Sequence, residues 1–411
     1  MRPGRYERKL KKETNIKKFN FRSSFSGLLP LFVLAHLAHH LLTALPVPLL
    51  PFIRDDFALD YTQSALVISA FTLSYGISQL PAGRLADRLG PRMLITMGIS
   101  GVALAGLLVG LSQDYIIMLV FLVLMGILGG GYHPAASPAI SALVEPRNRG
   151  QALGVHMIGG SASYFLAPLM AAAIAAAWGW RSPFIALAIP GIGFGILFYV
   201  LLGRRLASNE AQRSAIASNE KTASAPDRLR RLVPFLTLST FTQASIISII
   251  SFVPLFLVDQ LGVSKEMAAA SIALIYSSGF WAGILGGYLS DRLGRMPVVL
   301  VTCFAASPAI YLLNLVSPGW SIIALLITIG MVMYARAPVS EAYVIDQTSE
   351  RNRSTILGIY YFSSMEGSGV LTPAIGYLVD RFGFHTAFTV TAIAVLVVTS
   401  ACSVWLRNNR E

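Results

Sequence analysis

The 411 residues are 55% hydrophobic and only 13% charged, with a mean hydropathy of +0.64, whereas a soluble domain carries about 25% charged residues. That depletion excludes a string of water-soluble domains, because folding an aqueous core does not require it, whereas each charge at bilayer depth costs at least ~2.5 kcal/mol. The formal charge of +12 does not mark a nucleic-acid binder, since no solvated basic domain carries it, and Cys303 and Cys402, both in apolar runs, offer neither a disulfide framework nor metal-binding spacing.

A basic tail, 1–26, opens the chain. The apolar stretch after Arg22 is longer than the ~7–15 residues of a signal-peptide core, so the tail is read as retained. A helix needs about 20 apolar residues to cross a bilayer. On that measure, spans are expected near 27–52, 64–82, 93–112, 115–143, 150–177 and 182–203. A polar linker at 204–231 follows, rich in Ser, Ala, Asn and charge, which reads as a mobile connector or a surface helix. Six more spans are expected near 232–258, 268–287, 297–316, 319–346, 353–379 and 384–406, before a short tail at 407–411. The expected fold is an all-α membrane protein, with 12 transmembrane helices in an N-terminal bundle (27–203) and a C-terminal bundle (232–406).

Lys and Arg concentrate on the cytoplasmic side of membrane proteins. Of the 32 here, all but Arg54, Arg181, Lys265, Arg381 and the intramembrane Arg336 fall in the tails, the linker or loops on one side. Both termini are therefore expected in the cytoplasm, and the protein in the cell membrane.

The second half restates the first. GRLADRLGPR starts at Gly83 and GYLSDRLGRM at Gly287, 204 residues on. EPRNRGQALG (145–154) pairs with SERNRSTILG (349–358), Pro134 with Pro338, and Gly179 with Gly383, at the same offset. Repeated halves suit secondary transporters, in which two similar bundles rock about a central site.

These features resemble the major facilitator superfamily over essentially the whole chain. Its G-x-L-A-D-R-x-G-R-K loop between spans two and three is matched by Gly83, Leu85, Ala86, Asp87, Arg88, Gly90 and Arg92. The second copy keeps Gly287, Asp291, Arg292, Gly294 and Arg295. Read from the residues alone, Gly90 suits a tight turn, Asp87 can cap a helix N-terminus, and the arginines hold the loop on its side. The resemblance implies a latch that stabilises the outward-facing state, and a cavity lined by spans 1, 4, 7 and 10.

Those four spans hold the polar residues. Span 1 has His36, His39 and His40, three and four residues apart and so on one helix face. Span 4 has Tyr132 and His133, span 7 has Gln243, and span 10 has Tyr334, Arg336 and Glu341. At ~1.5 Å per residue, the span 1 histidines, His133 and Arg336 lie about 14–20 Å from the cytoplasmic ends of their spans, and Glu366 lies ~20 Å into span 11. Ionisable groups at that depth are expected to be functional. Histidine suits proton coupling, and Arg336 can bind an anionic substrate or neutralise Glu341 or Glu366. His156 reads as a structural histidine. A metal site is not expected: His36 and His40 have ligand spacing, but no carboxylate or thiolate stands near them in sequence. The glycines of 126–131 and 191–195 lie inside apolar spans and suit helix packing, not nucleotide binding.

Within the superfamily, GGGYHPAASPAISAL (129–143) and RGQALGVHMIGGSASYFLAPL (149–169) resemble the fosmidomycin-resistance branch of drug exporters, with His133-Pro134 as its His-Pro. Leu122 stands where drug antiporters carry an Arg, and their span 5 Gly-Pro is reduced to Ala167-Pro168. The resulting expectation is a monomeric, cofactor-free, proton-coupled exporter of small compounds. The alternatives are a proton-linked importer of an organic anion and a non-transporting membrane sensor. No nucleophile–base constellation supports an enzyme.

Overall fold

The computed structural model describes residues 28–144, 149–209, 229–348 and 353–408. The expected tail 1–26, the linker core 210–228, residues 409–411, Arg147 and Arg351 lie outside the described residues. The described residues form helices α1 (Leu29–Phe57), α2 (Tyr61–Leu89), α3 (Pro91–Leu111), α4 (Tyr115–Leu143), α5 (Arg149–Trp178) and α6 (Arg181–Asn209). In the second half come α7 (Leu229–Asp259), α8 (Lys265–Leu293), α9 (Arg295–Leu312) and α10 (Trp320–Gln347). The helical run Arg353–Asn408 is split by Gly383, at φ 77°, into α11 (353–382) and α12 (384–408).

Every expected span is present, with differences that have local causes. α1 runs on past the expected end at 52, because Arg54 and Asp55 make contacts at its tip. It breaks at Ala44–Leu45, just before Pro46, which has no N–H to donate to the carbonyl four residues back and so interrupts the helical ladder. α4 breaks at Gly130–Gly131, and α8 passes through a 3₁₀ turn at Ser278–Phe280.

The 204-residue repeat holds in three dimensions. Gly90 and Gly294 end α2 and α8 with matching backbone angles (φ 81°, ψ 151° and φ 89°, ψ 153°), a positive-φ turn that favours glycine. Asp60 caps the Gln63 N–H at the start of α2, and Ser264 caps the Met267 N–H at the start of α8. The α2–α4 crossing presses Gly126 onto the Phe71 carbonyl and the Ser74 hydroxyl; the α8–α10 crossing presses Gly330 onto the Ile275 carbonyl and the Ser278 hydroxyl. All three positions of one crossing match the other at the same offset. Close backbone approach through small residues is how helices associate where lipid offers no hydrophobic drive.

Large apolar side chains face outward along the bundle, among them Ile189, Ile196, Ile284, Val301 and Val397. Trp178 and Trp320, 74% and 85% exposed, sit at the α5 C-terminus and the α10 N-terminus. Those ends lie on the same side, the level at which amphipathic rings mark a membrane interface.

The halves meet at the end away from the basic loops. Arg54 of α1 pairs with Asp259 of α7, and Lys265 of α8 with Asp55 of α1. The Tyr61 hydroxyl donates to Asp259 at 2.8 Å. Asp55 matches Asp259 in the repeat and Tyr61 matches Lys265, so two of these contacts are pseudo-symmetric copies of each other. Asp380 of α11 accepts from the Tyr61 and Thr62 backbone N–H groups, both at 2.8 Å, at the N-terminus of α2. Deeper in, Ser69 of α2 donates to the Gly369 carbonyl of α11 at 2.7 Å, and Tyr164 of α5 packs on Tyr276 of α8. Among the described residues, every polar link between the halves lies at this end or at mid-depth. The cleft between them therefore opens toward the basic loops.

Candidate functional site

Five of the six histidines converge in the first half, around α1, α4 and α5. His36 and His39 are buried at 1% and 0% exposure. The His36 Nδ1 donates to the His156 carbonyl (2.9 Å), the His39 Nδ1 to the Gly98 carbonyl (2.6 Å) and the His156 Nδ1 to the Phe32 carbonyl (3.0 Å). A carbonyl only accepts, so these bonds put the proton on Nδ1 when each ring is neutral and leave Nε2 as the lone pair. Tyr75 then donates its hydroxyl to the His39 Nε2 at 3.2 Å. His40 follows the same logic: the Thr43 hydroxyl reaches the His40 carbonyl (3.5 Å), leaving Oγ1 to accept from the His40 Nδ1 (3.1 Å).

His133, half-buried, closes the group: its Nε2 lies 3.2 Å from the His40 Nε2. His39 stacks on Tyr132 at 4.4 Å between ring centroids, and His36 on His156 at 4.2 Å. Gly160 makes room, since a β-carbon there would meet the His36 ring at 2.6 Å. His156, expected as a structural histidine, bonds to the Phe32 carbonyl and also forms a wall of the cluster by stacking on His36. Periodicity along α1 gives no hint of it, because it arrives on α5. One donor atom each from His36, His40 and His133 lies within 4.8 Å of the others. The expectation of no metal ligand set considered only groups near in sequence, and the fold brings the third imidazole from α4.

The second half holds a guanidinium instead. Arg336 of α10 is 0% exposed. Its Nη1 donates to the Ser239 carbonyl (3.1 Å) and to the Ser239 hydroxyl, and its Nη2 donates to the Gln243 side-chain carbonyl. Its Nε is buried with no hydrogen-bond partner. Glu341 and Glu366, expected as possible neutralising partners, do not pair with it among the described residues. Glu341 meets Tyr361 of α11, and Glu366 packs on Gly76 of α2 with Oε1 buried and unpartnered. Arg336 is thus a buried cation held by neutral groups, an arrangement that leaves it able to receive an anion.

The repeat relates these two clusters. Tyr132 matches Arg336 and His39 matches Gln243, so the α1–α4 stack of His39 on Tyr132 occupies the place of the α7–α10 contact of Gln243 with Arg336. No direct contact joins the histidines to Arg336 among the described residues. His40 stacks on Tyr164 (4.8 Å), which packs on Tyr276 of α8 (5.1 Å), and Tyr334 of α10 lies against Gly279 of the same helix. Tyrosine rings therefore bridge the halves at mid-depth.

At the basic end, which α2 reaches through Gly83, the Asp87 side chain lies outside those described. Arg88 is exposed. Arg92 donates to the Tyr199 carbonyl of α6 (2.6 Å) and lies over its ring. In the second copy, beside Gly287, Asp291 is exposed, Arg292 covers Tyr288, and Arg295 pairs with Asp346 of α10. Sequence reading missed the charged contacts at the opposite end, including Arg54, Asp259 and Asp380. The signal available was that acids and bases gather at the tips of α1, α7, α8 and α11.

The chain matches the Major Facilitator Superfamily over residues 32–336. It is 24% identical to the hexuronate transporter of Bacillus subtilis (strain 168) over 356 residues, covering 82% of this chain and 84% of that one. It is 27% identical to the multidrug resistance protein MdtG of Enterobacter lignolyticus (strain SCF1) over 347 residues, covering 81% and 80%. A bacterial homolog of the human lysosomal transporter Spinster, solved in an inward-facing and occupied conformation, superposes with a TM-score of 0.73 at 17% identity, over 92% of this chain and 95% of that one. With two repeated six-helix halves, a cleft between them and buried ionisable groups on its walls, the chain belongs to the Major Facilitator Superfamily and is a secondary transporter of small molecules, not an enzyme.

Proposed function

We propose that this transporter carries a small organic anion together with protons, inward across the cell membrane, as a monomer with both termini in the cytoplasm. The observation that carries the reading is Arg336: fully buried, unneutralised by any carboxylate among the described residues, with Nε unpartnered. A cation kept at that depth without a counter-ion suits a substrate that supplies one. The histidine cluster supplies imidazoles, side chains that can take up and release a proton.

The two clusters together favour symport. In a cell with a negative interior, moving one charge across the membrane is worth about 2.3 kcal/mol per 100 mV. An anion leaving needs no proton, because the potential already expels it. An anion entering is opposed by the potential, and each proton that accompanies it cancels one unit of that opposition. Likeness to a hexuronate transporter agrees with this class. With the basic loops in the cytoplasm, the arrangement described here is inward-facing. The C-terminal end of α2 with Gly83 and Asp87, and its copy at the end of α8 with Gly287 and Asp291, then act as a latch that engages only when the basic ends of the halves close. Likeness to MdtG favours a second reading, proton-driven export of small toxic compounds.

Proteoliposomes with an imposed pH gradient and a panel of carboxylates, phosphonates and sulfonates test the proposal. Accumulation of one anion should rise with external acidity and collapse with a protonophore. Flux indifferent to the gradient, or confined to neutral and cationic compounds, would sink it. A growth advantage on toxic compounds without any anion uptake would select the export reading.

A further inference from the structure

We infer that His36, His40 and His133 form a binding site for one first-row divalent ion of borderline softness, of which Zn²⁺ and Co²⁺ are the probes, with the fourth coordination position turned toward the cleft. The transport reading does not require this site. It rests on three features of the cluster.

The first is spacing. Zinc–imidazole bonds of about 2.0–2.1 Å at tetrahedral angles put two donor nitrogens about 3.3–3.4 Å apart. The Nε2 atoms of His40 and His133 are 3.2 Å apart. The His36 donor lies within 4.8 Å of the others, on the same face of α1 as His40, so the ion need draw the rings together by only ~1–1.5 Å.

The second is tautomer. Imidazoles that bind metal donate their other ring N–H to a fixed acceptor, which orients the ring and raises ligand basicity. His36 does so through Nδ1 to the His156 carbonyl, and His40 through Nδ1 to the Thr43 hydroxyl. Both Nε2 lone pairs are thereby free for the ion. The remaining proton, between the two Nε2 atoms, resides on His133, which alone of the three has no Nδ1 acceptor among the described residues and can move that proton to Nδ1 or to solvent when the ion arrives.

The third is access. His36 and His40 are buried, whereas His133 is half-buried. Three protein ligands with one open position describe an exchangeable site, not a closed structural one. Three neutral imidazoles without a thiolate or carboxylate suit zinc, cobalt, nickel or copper over magnesium or calcium, which take oxygen ligands.

The test uses the full chain, purified in detergent without a polyhistidine tag and stripped with a chelator. Calorimetric titration with Zn²⁺ should give one site per chain, and Co²⁺ should give the intense visible bands of four-coordinate cobalt, bleached by Zn²⁺. His133→Ala and His40→Ala should abolish both signals, while His385→Ala, outside the cluster, should leave them unchanged. Thr43→Val, which keeps all three ligands, should weaken binding at least ~10-fold through loss of ring orientation. Each variant is first checked for a monodisperse elution profile and a parental thermal transition. Absence of binding to the well-folded parent, or binding that persists in His133→Ala and His40→Ala, overturns the site. Because no flux is measured, a failure here is separate from a failure of anion–proton symport.

Discussion

Arg336 illustrates how a buried charge is tolerated without a counter-ion. Ser239 offers both its carbonyl and its hydroxyl, and Gln243 its amide oxygen, so the guanidinium trades water for neutral acceptors. Such charge-assisted bonds are worth about 1.5–3 kcal/mol each, and an anionic substrate would add to them at the face that still carries the unpaired Nε. Arg336→Gln is expected to lower anion flux at least ~10-fold, since 1.4 kcal/mol is one decade. Arg336→Lys should restore only part of it, because an ammonium keeps the charge and loses the planar fork. Initial rates in proteoliposomes, with the eluted monodisperse fraction as folding control, read both. Unchanged flux in Arg336→Gln would remove this residue from the anion's path.

At the scale of elements, the α2–α4 and α8–α10 crossings set the cavity walls, because α4 and α10 carry Tyr132, His133 and Arg336. Each crossing depends on a glycine against a facing carbonyl. Gly330→Val would drive a side chain into the Ile275 carbonyl, and overpacking of this kind costs about 1–3 kcal/mol. Gly193→Ala on α6, where a β-carbon meets nothing within 4 Å, should be neutral or mildly stabilising, as helical Gly→Ala changes favour the helix by up to ~1 kcal/mol. Thermal unfolding of the solubilised chain should separate the two, with a lowered transition for Gly330→Val alone. Of the elements, the twelve spans were legible in the apolar runs. The breaks were less so. That of α4 falls at Gly130–Gly131 inside an unbroken hydrophobic run, where a membrane helix tolerates a bend because its neighbours hold it.

For the whole molecule, the halves are tied together at the end away from the basic loops by the seam of Arg54, Asp55, Tyr61, Asp259, Lys265 and Asp380. Asp380 accepts two backbone N–H groups at the α2 N-terminus, where the helix dipole adds to the attraction. Asp380→Asn and Asp259→Asn each weaken contacts made only when this end is shut, so each should shift the population toward the arrangement open at this end. Cysteines placed on cleft-lining positions should become more reactive toward an impermeant thiol reagent added from this side. Reactivity equal to the parent's would show that the seam does not hold the end closed. Because Asp55 and Asp259 are copies of each other, as are Tyr61 and Lys265, the seam uses the pseudo-two-fold relation between halves in the way a symmetric dimer uses its axis.

By itself the sequence determined the membrane class, the number and approximate limits of the spans, the repeat and the four polar helices, because hydrophobic length, charge asymmetry and self-similarity are properties of the chain in one dimension. His36, His39, His40 and Arg336 stood out for the same reason: an ionisable group inside an apolar run is visible without coordinates. Only the tertiary structure decided which of these groups meet. It joined His133 and His156 to the α1 histidines from distant helices, kept Arg336 apart from Glu341 and Glu366, and assembled the seam from five helix tips. Partnership depends on how helices cross and rotate, and those are fixed by close packing at positions such as Gly126, Gly160 and Gly330, where the missing side chain, not a present one, carries the information.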